Sequence, residues 1–227
     1  MVFFILIFLS LPLWKKHNKL SKDIEDSNLL AKPSFKKMIN IKGVKFSLLA
    51  FIIYTSMEFS VGLWGASYLV SVQTITITIA ASLVASYYLG ITVGRVLAGF
   101  VSFKLSNIQM IFYGILIFLA ATIFLLFKIP NYLLFMVFFI QGIGLAPIFP
   151  AMIHETPTSF GKQNSQYIIG YQMAGAYIGS SIFPPLFGLV AGRTTIAIFP
   201  YYILGLGILL LIIVNALFLR IKNKDLL

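Results

Sequence analysis

The stretch Phe46–Val70, FSLLAFIIYTSMEFSVGLWGASYLV, decides the fold, and Glu58 is its one charged side chain. At about 1.5 Å of rise per residue, a helix of this length crosses the roughly 30 Å hydrocarbon core of a bilayer. Five more stretches read the same way: Thr76–Phe103, Ile108–Phe127, Tyr132–Met152, Tyr167–Ala191 and Ile196–Leu219. Short polar turns separate them at Ser71–Thr74, Lys104–Asn107, Lys128–Asn131, His154–Ser165 and Gly192–Thr195. Hydrophobic residues make up 59% of the chain and charged ones 10%, with a mean hydropathy of +0.97. A water-soluble surface cannot be covered with so few charges, so the apolar excess faces lipid. The expected fold class is an all-α, polytopic membrane helix bundle, with six transmembrane helices plus a partial one.

The partial one is Met1–Trp14, which spans about 21 Å as a helix and falls short of a crossing. Its positive charge follows the apolar run instead of preceding it, and it lacks a small-residue cleavage site, which argues against a signal peptide. It reads as the end of a truncated transmembrane helix over residues 1–14. A basic linker follows at 15–45, then the six-helix bundle at 46–220 and a tail at 221–227.

The formal net charge of +11 is distributed as membrane topology demands. Nine of the 17 basic residues lie between Lys15 and Lys45, and most others sit just beyond apolar spans. Nucleic-acid binding needs a basic face on a folded domain with readout residues nearby, so a nucleic acid is not an expected partner. One side of the membrane receives the linker, Lys104, Lys162, Arg220, Lys222 and Lys224; the other receives Lys128 and Arg193. The positive-inside rule then puts the linker and the C-terminus in the cytoplasm, in a multi-pass protein of the plasma membrane.

Glu58 lies deep in its span, where a carboxylate costs about 3 kcal/mol on insertion scales and usually faces a polar cavity. It reads as a solute-binding or proton-exchanging group, or else as a protonated acid bonded to a neighbouring helix. Tyr54 and Gly65 share its helical face. Arg95 lies within the second span and is expected to snorkel to the interface or to cap carbonyls at a gate. Gly90 and Gly94, and again Gly175 and Gly179, have the small-xxx-small spacing that lets helices approach closely. Gln141 precedes a run closed by Pro147 and Pro150; its amide suits a sugar hydroxyl and a helix partner equally. Gln172 lies on the stripe of Gly175 and Gly179, and glycine- and proline-broken helices of this kind line binding sites in transporters.

An enzyme is not expected. His154-Glu155 lacks the second histidine of a zinc-protease helix, since position 158 is Thr, and no nucleophile set or phosphate-cradling loop is present. Cysteine is absent, so thiol chemistry and cysteine-ligated metals are excluded, and nothing in the pattern asks for a cofactor.

The segments YTSMEFSVGLW (Tyr54–Trp64), YLGITVGRVLAGF (Tyr88–Phe100), GLAPIFP (Gly144–Pro150) and IGYQMAGAYIGSSIFPPLFG (Ile169–Gly188) together resemble the C-terminal half of a major facilitator superfamily transporter. The likeness is to the fucose-permease-like group of sugar/proton symporters. It implies twelve helices in two six-helix bundles with alternating access, so that an N-terminal six-helix half is missing here. It implies that Glu58, Gln141 and Gln172 look toward a central cavity, with Tyr54 and Trp64 offering a face to a sugar ring. Arg95 and Gly99 would belong to a gate motif, although Phe103–Ser106 lacks the aspartate that motif often carries. The expected function is proton-coupled uptake of a sugar or similar small polar solute; the alternative is an inactive or structural membrane fragment.

Overall fold

In the computed structural model, residues 35–222 are described. The expected helix end at Met1–Trp14, most of the linker and the last residues of the tail therefore lie outside the described residues. The elements are α1 (Phe35–Ile39), α2 (Val44–Ser71), α3 (Ile77–Val101), α4 (Asn107–Phe124), α5 (Asn131–Leu145), α6 (Ile148–Phe160), α7 (Lys162–Arg193), a single 3-10 turn (Ile196–Ile198) and α8 (Phe199–Lys222). No strand occurs among the described residues. Six helical segments are long and apolar enough to span a membrane, with α5 and α6 sharing one and the 3-10 turn leading into another. The all-α six-span architecture stands.

Two boundaries differ from expectation. The polar run His154–Ser165 is helical except at Gly161, where φ is +86° and the chain reverses from α6 into α7. Its polar side chains bond within the helix: Thr156 Oγ1 donates to Met152 O at 3.0 Å and Ser159 Oγ to the Glu155 carboxylate at 3.1 Å. The fourth span breaks at Ala146-Pro147. Pro147 and Pro150 have no N–H, so the carbonyls of Ile143 and Ala146 lose their helical donors, and one span becomes two helices.

Packing follows membrane rules, in which lipid is as apolar as leucine and hydrophobicity does not drive one helix against another. Small residues and polar bonds set the contacts instead. α2 sits centrally, with α3, α7 and α8 packed around it, while α5 packs between α3 and α4. A Cβ at Gly94 would lie 2.6 Å from the Ala146 Cβ, and one at Gly142 would lie 2.7 Å from the Ile91 amide nitrogen. α3 and α5 are therefore in backbone contact. Gly179 abuts Ile52 and Thr55 in the same way, and a Cβ at Gly175 would lie 3.3 Å from Ile52 Cγ1. Across that seam Thr55 Oγ1 donates to Ala176 O at 2.9 Å and Ser56 Oγ lies 3.3 Å from Gly179 O. Gly99 is different: a Cβ there would meet nothing within 4 Å, so it makes no close helix contact among the described residues. The turn into α4 is closed by a capping box, in which Ser106 N donates to Gln109 Oε1 at 3.0 Å.

Candidate functional site

The charged centre of the described residues lies on the seam between α2 and α3. Glu58 sits midway along α2, with its side chain 18% exposed. Arg95, 58% exposed, reaches it from α3, with Nη2 3.9 Å from Oε1. The arginine thus approaches a carboxylate at membrane depth, a pairing that the sequence reading of interface snorkelling missed. At 3.9 Å the pair is a loose ion pair, longer than a direct hydrogen bond.

Three phenols surround it. Tyr54, one turn before Glu58 on α2, is fully buried; its hydroxyl faces the Glu58 carboxyl group and lies 3.4 Å from Leu145 O. Tyr87 is also fully buried and lies with its hydroxyl 3.3 Å from the backbone carbonyl of Glu58, tying α3 to α2 at the site. Tyr88 is half exposed and stands edge-on to Tyr87 with centroids 5.3 Å apart. Its hydroxyl abuts Gly62, whose lack of a side chain makes space for it one turn beyond Glu58. Sequence reading named neither Tyr87 nor Tyr88 as site residues. The signal was present: Tyr88 and Arg95 are seven apart, two turns on one helical face.

The residues nominated for solute contact do not converge on this centre. Gln172 is completely buried among α2, α6 and α7, and its Nε2 donates to Ser47 Oγ at 2.7 Å, with Thr156 Oγ1 at 2.9 Å. Ser47 is about 16 Å of helical rise from Glu58. Gln141 is completely buried on the other flank; Nε2 donates to Thr122 Oγ1 at 2.9 Å and Oε1 has no partner. Trp64 donates its indole N–H to Pro184 O at 2.8 Å and packs edge-on against Phe187, joining α2 to the prolines of α7, which stays helical through them. Pro147 packs beside Gly114, and Pro150 occupies the first turn of α6. Of the expected set, Glu58, Tyr54 and Arg95 share one site.

Chemically, a carboxylate beside a guanidinium and phenolic hydroxyls offers both donors and acceptors at one membrane depth. Such a set can hold a polyol by hydrogen bonds and exchange a proton at Glu58 Oε1 or Oε2.

The family model of the Major Facilitator Superfamily matches residues 46–226, which take in the membrane spans described above apart from the first two residues of α2. The chain belongs to the major facilitator superfamily. Members of this superfamily are membrane transporters of small molecules, not enzymes, and this multi-pass membrane chain carries their helical architecture. The chain is also similar to Bypass of stop codon protein 6 of Saccharomyces cerevisiae, at 26% identity over 204 residues, covering 82% of this chain and 40% of that protein. It therefore spans well under half the length of that curated relative, whose name specifies no solute.

Proposed function

We propose that this superfamily chain acts as the C-terminal half of a secondary transporter that takes up a sugar or similar small polar solute together with protons, by alternating access. Glu58 is the solute-binding and proton-exchanging group, Arg95 its electrostatic partner, and Tyr54 and Tyr88 are phenols that flank the solute. A second six-helix half covers the α2–α3 seam, and the protein sits in the plasma membrane with its C-terminus in the cytoplasm.

One observation carries the reading. Glu58 and Arg95 meet within two membrane-spanning helices, Glu58 midway along its own, with the arginine side chain more than half exposed. A charge left against lipid at that depth is costly, so such groups border water or another protein. Both are what a solute path between two bundles supplies. The fourteen basic residues on one side of the membrane, against two on the other, support the orientation.

The test is radiolabelled sugar uptake by cells that express the chain with a candidate N-terminal half. Glu58→Gln should abolish accumulation driven by a proton gradient while leaving the protein in the membrane. Uptake by Glu58→Gln equal to the parent's removes the assignment. The second reading, a structural membrane fragment, draws support from Gln172 and Trp64, whose polar groups are consumed in helix packing. No uptake with any partner half, in a chain that still inserts and folds, favours it.

A further inference from the structure

One end of the bundle carries a cluster of exposed cations that have no carboxylate within 4.0 Å among the described residues. Helix α1 folds back on the start of α2 through Gly43, where φ is +95° and a Cβ would lie 3.2 Å from Leu217 Cδ1 and 3.3 Å from Phe160 Cε1. That turn presses Met38, 2% exposed, and Val44, 0% exposed, into a small apolar cluster with Phe160, Ile168 and Leu217. This anchored hook holds Lys36, Lys37, Lys42 and Lys45 outward, all of them exposed. Lys162 and Arg220 lie at the same end, at the start of α7 and near the end of α8, and the Arg220 guanidinium sits 4.4 Å over the Phe46 ring.

No carboxylate answers them among the described residues, where the Arg95–Glu58 contact is the one ion pair within 4.0 Å. Glu155, the described acid nearest this end, is engaged by Asn107 Nδ2 at 3.2 Å and Ser159 Oγ at 3.1 Å. Lys45 is the second residue of a membrane-spanning helix, so the lysines border the apolar belt at headgroup level. Their position favours a lipid surface over any soluble polyanion.

We propose that the Lys36–Lys45 hook is a docking surface for anionic phospholipid headgroups of the adjoining leaflet, held in place by Met38 and the Gly43 turn. The phosphates sit among the four ammonium groups, and the acyl chains run down the exposed apolar flanks of α2. The site stands apart from the Glu58–Arg95 centre and does not depend on any transport reading.

The experiment is native mass spectrometry of the full chain in detergent, titrated separately with phosphatidylglycerol and phosphatidylcholine. Phosphatidylglycerol should bind more tightly, and each lysine neutralised should cost roughly fivefold in that preference, with less effect at high salt. The variant Lys36→Gln/Lys37→Gln/Lys42→Gln/Lys45→Gln should lose it, while the four Lys→Arg changes should keep it. Should the fourfold variant fail to fold by circular dichroism, Lys36→Gln and Lys42→Gln are measured singly at these exposed positions. Equal binding of both lipids by the parent, or an undiminished preference in the Gln variants, overturns the proposal. So does the outcome that only Asp23→Asn/Glu25→Gln/Asp26→Asn exposes a preference the parent lacks, since that acidic segment would then be the occupant. Displacement of phosphatidylglycerol by inorganic phosphate beyond the effect of chloride at equal ionic strength would mark a free-anion site instead.

Discussion

Adding one methyl group at two glycines of the same helix should have opposite effects. At Gly94 the new Cβ would lie 2.6 Å from the Ala146 Cβ, 2.9 Å from Ile143 Cα and 3.1 Å from Ile143 O. Carbon atoms rest about 3.5–4.0 Å apart, so α3 and α5 must separate by about 1 Å. A gap of that size forfeits about a quarter to a half of each contact along the seam. The neighbours are backbone atoms and a Cβ, which have no rotamer into which they can retreat. Overpacking of this kind costs about 1–3 kcal/mol. Against it stands the gain of about 1 kcal/mol from replacing glycine by alanine in a helix. Gly94→Ala should therefore destabilise by about 1 kcal/mol, taking the middle of both ranges. At Gly99 nothing lies within 4 Å, so only the helix gain remains and Gly99→Ala should stabilise by about 1 kcal/mol. Unfolding of the purified chain by sodium dodecyl sulfate, followed by circular dichroism, separates the two variants by about 2 kcal/mol if the arithmetic holds. Equal shifts, or a stabilised Gly94→Ala, would refute backbone contact between α3 and α5.

The two buried glutamines provide a second pair of opposites in the same assay. Gln172→Leu removes the amide's interhelical bonds to Ser47 and Thr156, about 0.6 kcal/mol each, and should destabilise by about 1–2 kcal/mol, with coupling to Ser47→Ala in a double-mutant cycle. Gln141→Leu gives up one bond to Thr122 but also removes an unpaired buried acceptor that costs about 1–3 kcal/mol, so it should be neutral or stabilising. A large loss at Gln141 would mean that Oε1 holds a partner. Trp64→Phe should cost about 1 kcal/mol through the lost bond to Pro184 O, and it should leave uptake intact if the indole serves packing alone. Reduced solute affinity in that variant would return Trp64 to the site.

How far the site could be read from sequence depended on how many helices each feature involved. Glu58 was legible alone, because a carboxylate deep in an apolar span is exceptional wherever the other spans lie. Its partner was not, since Arg95 has a stem long enough for either the interface or a neighbouring helix, and only the placement of α3 chose Glu58. Tyr87 and Tyr88 were not legible, as a phenol in a membrane span is ordinary until its surroundings are seen, such as the Tyr87 hydroxyl at 3.3 Å from the Glu58 carbonyl. Gln172 is the reverse case: an amide on a glycine stripe suits a cavity and a neighbouring helix alike, and in the fold its Nε2 bonds Ser47 and Thr156.

The sequence by itself determined the six apolar spans of the described residues, the all-helical class and the bias of basic residues among the loops. These depend on apolar length set against a bilayer of fixed thickness and on charges beside each span, both local quantities. The tertiary structure alone decided which glycines are contacts, which amides are spent within the bundle, and which arginine meets which acid. Those outcomes depend on the rotation and pairing of helices, which sequence spacing constrains only within one helix at a time.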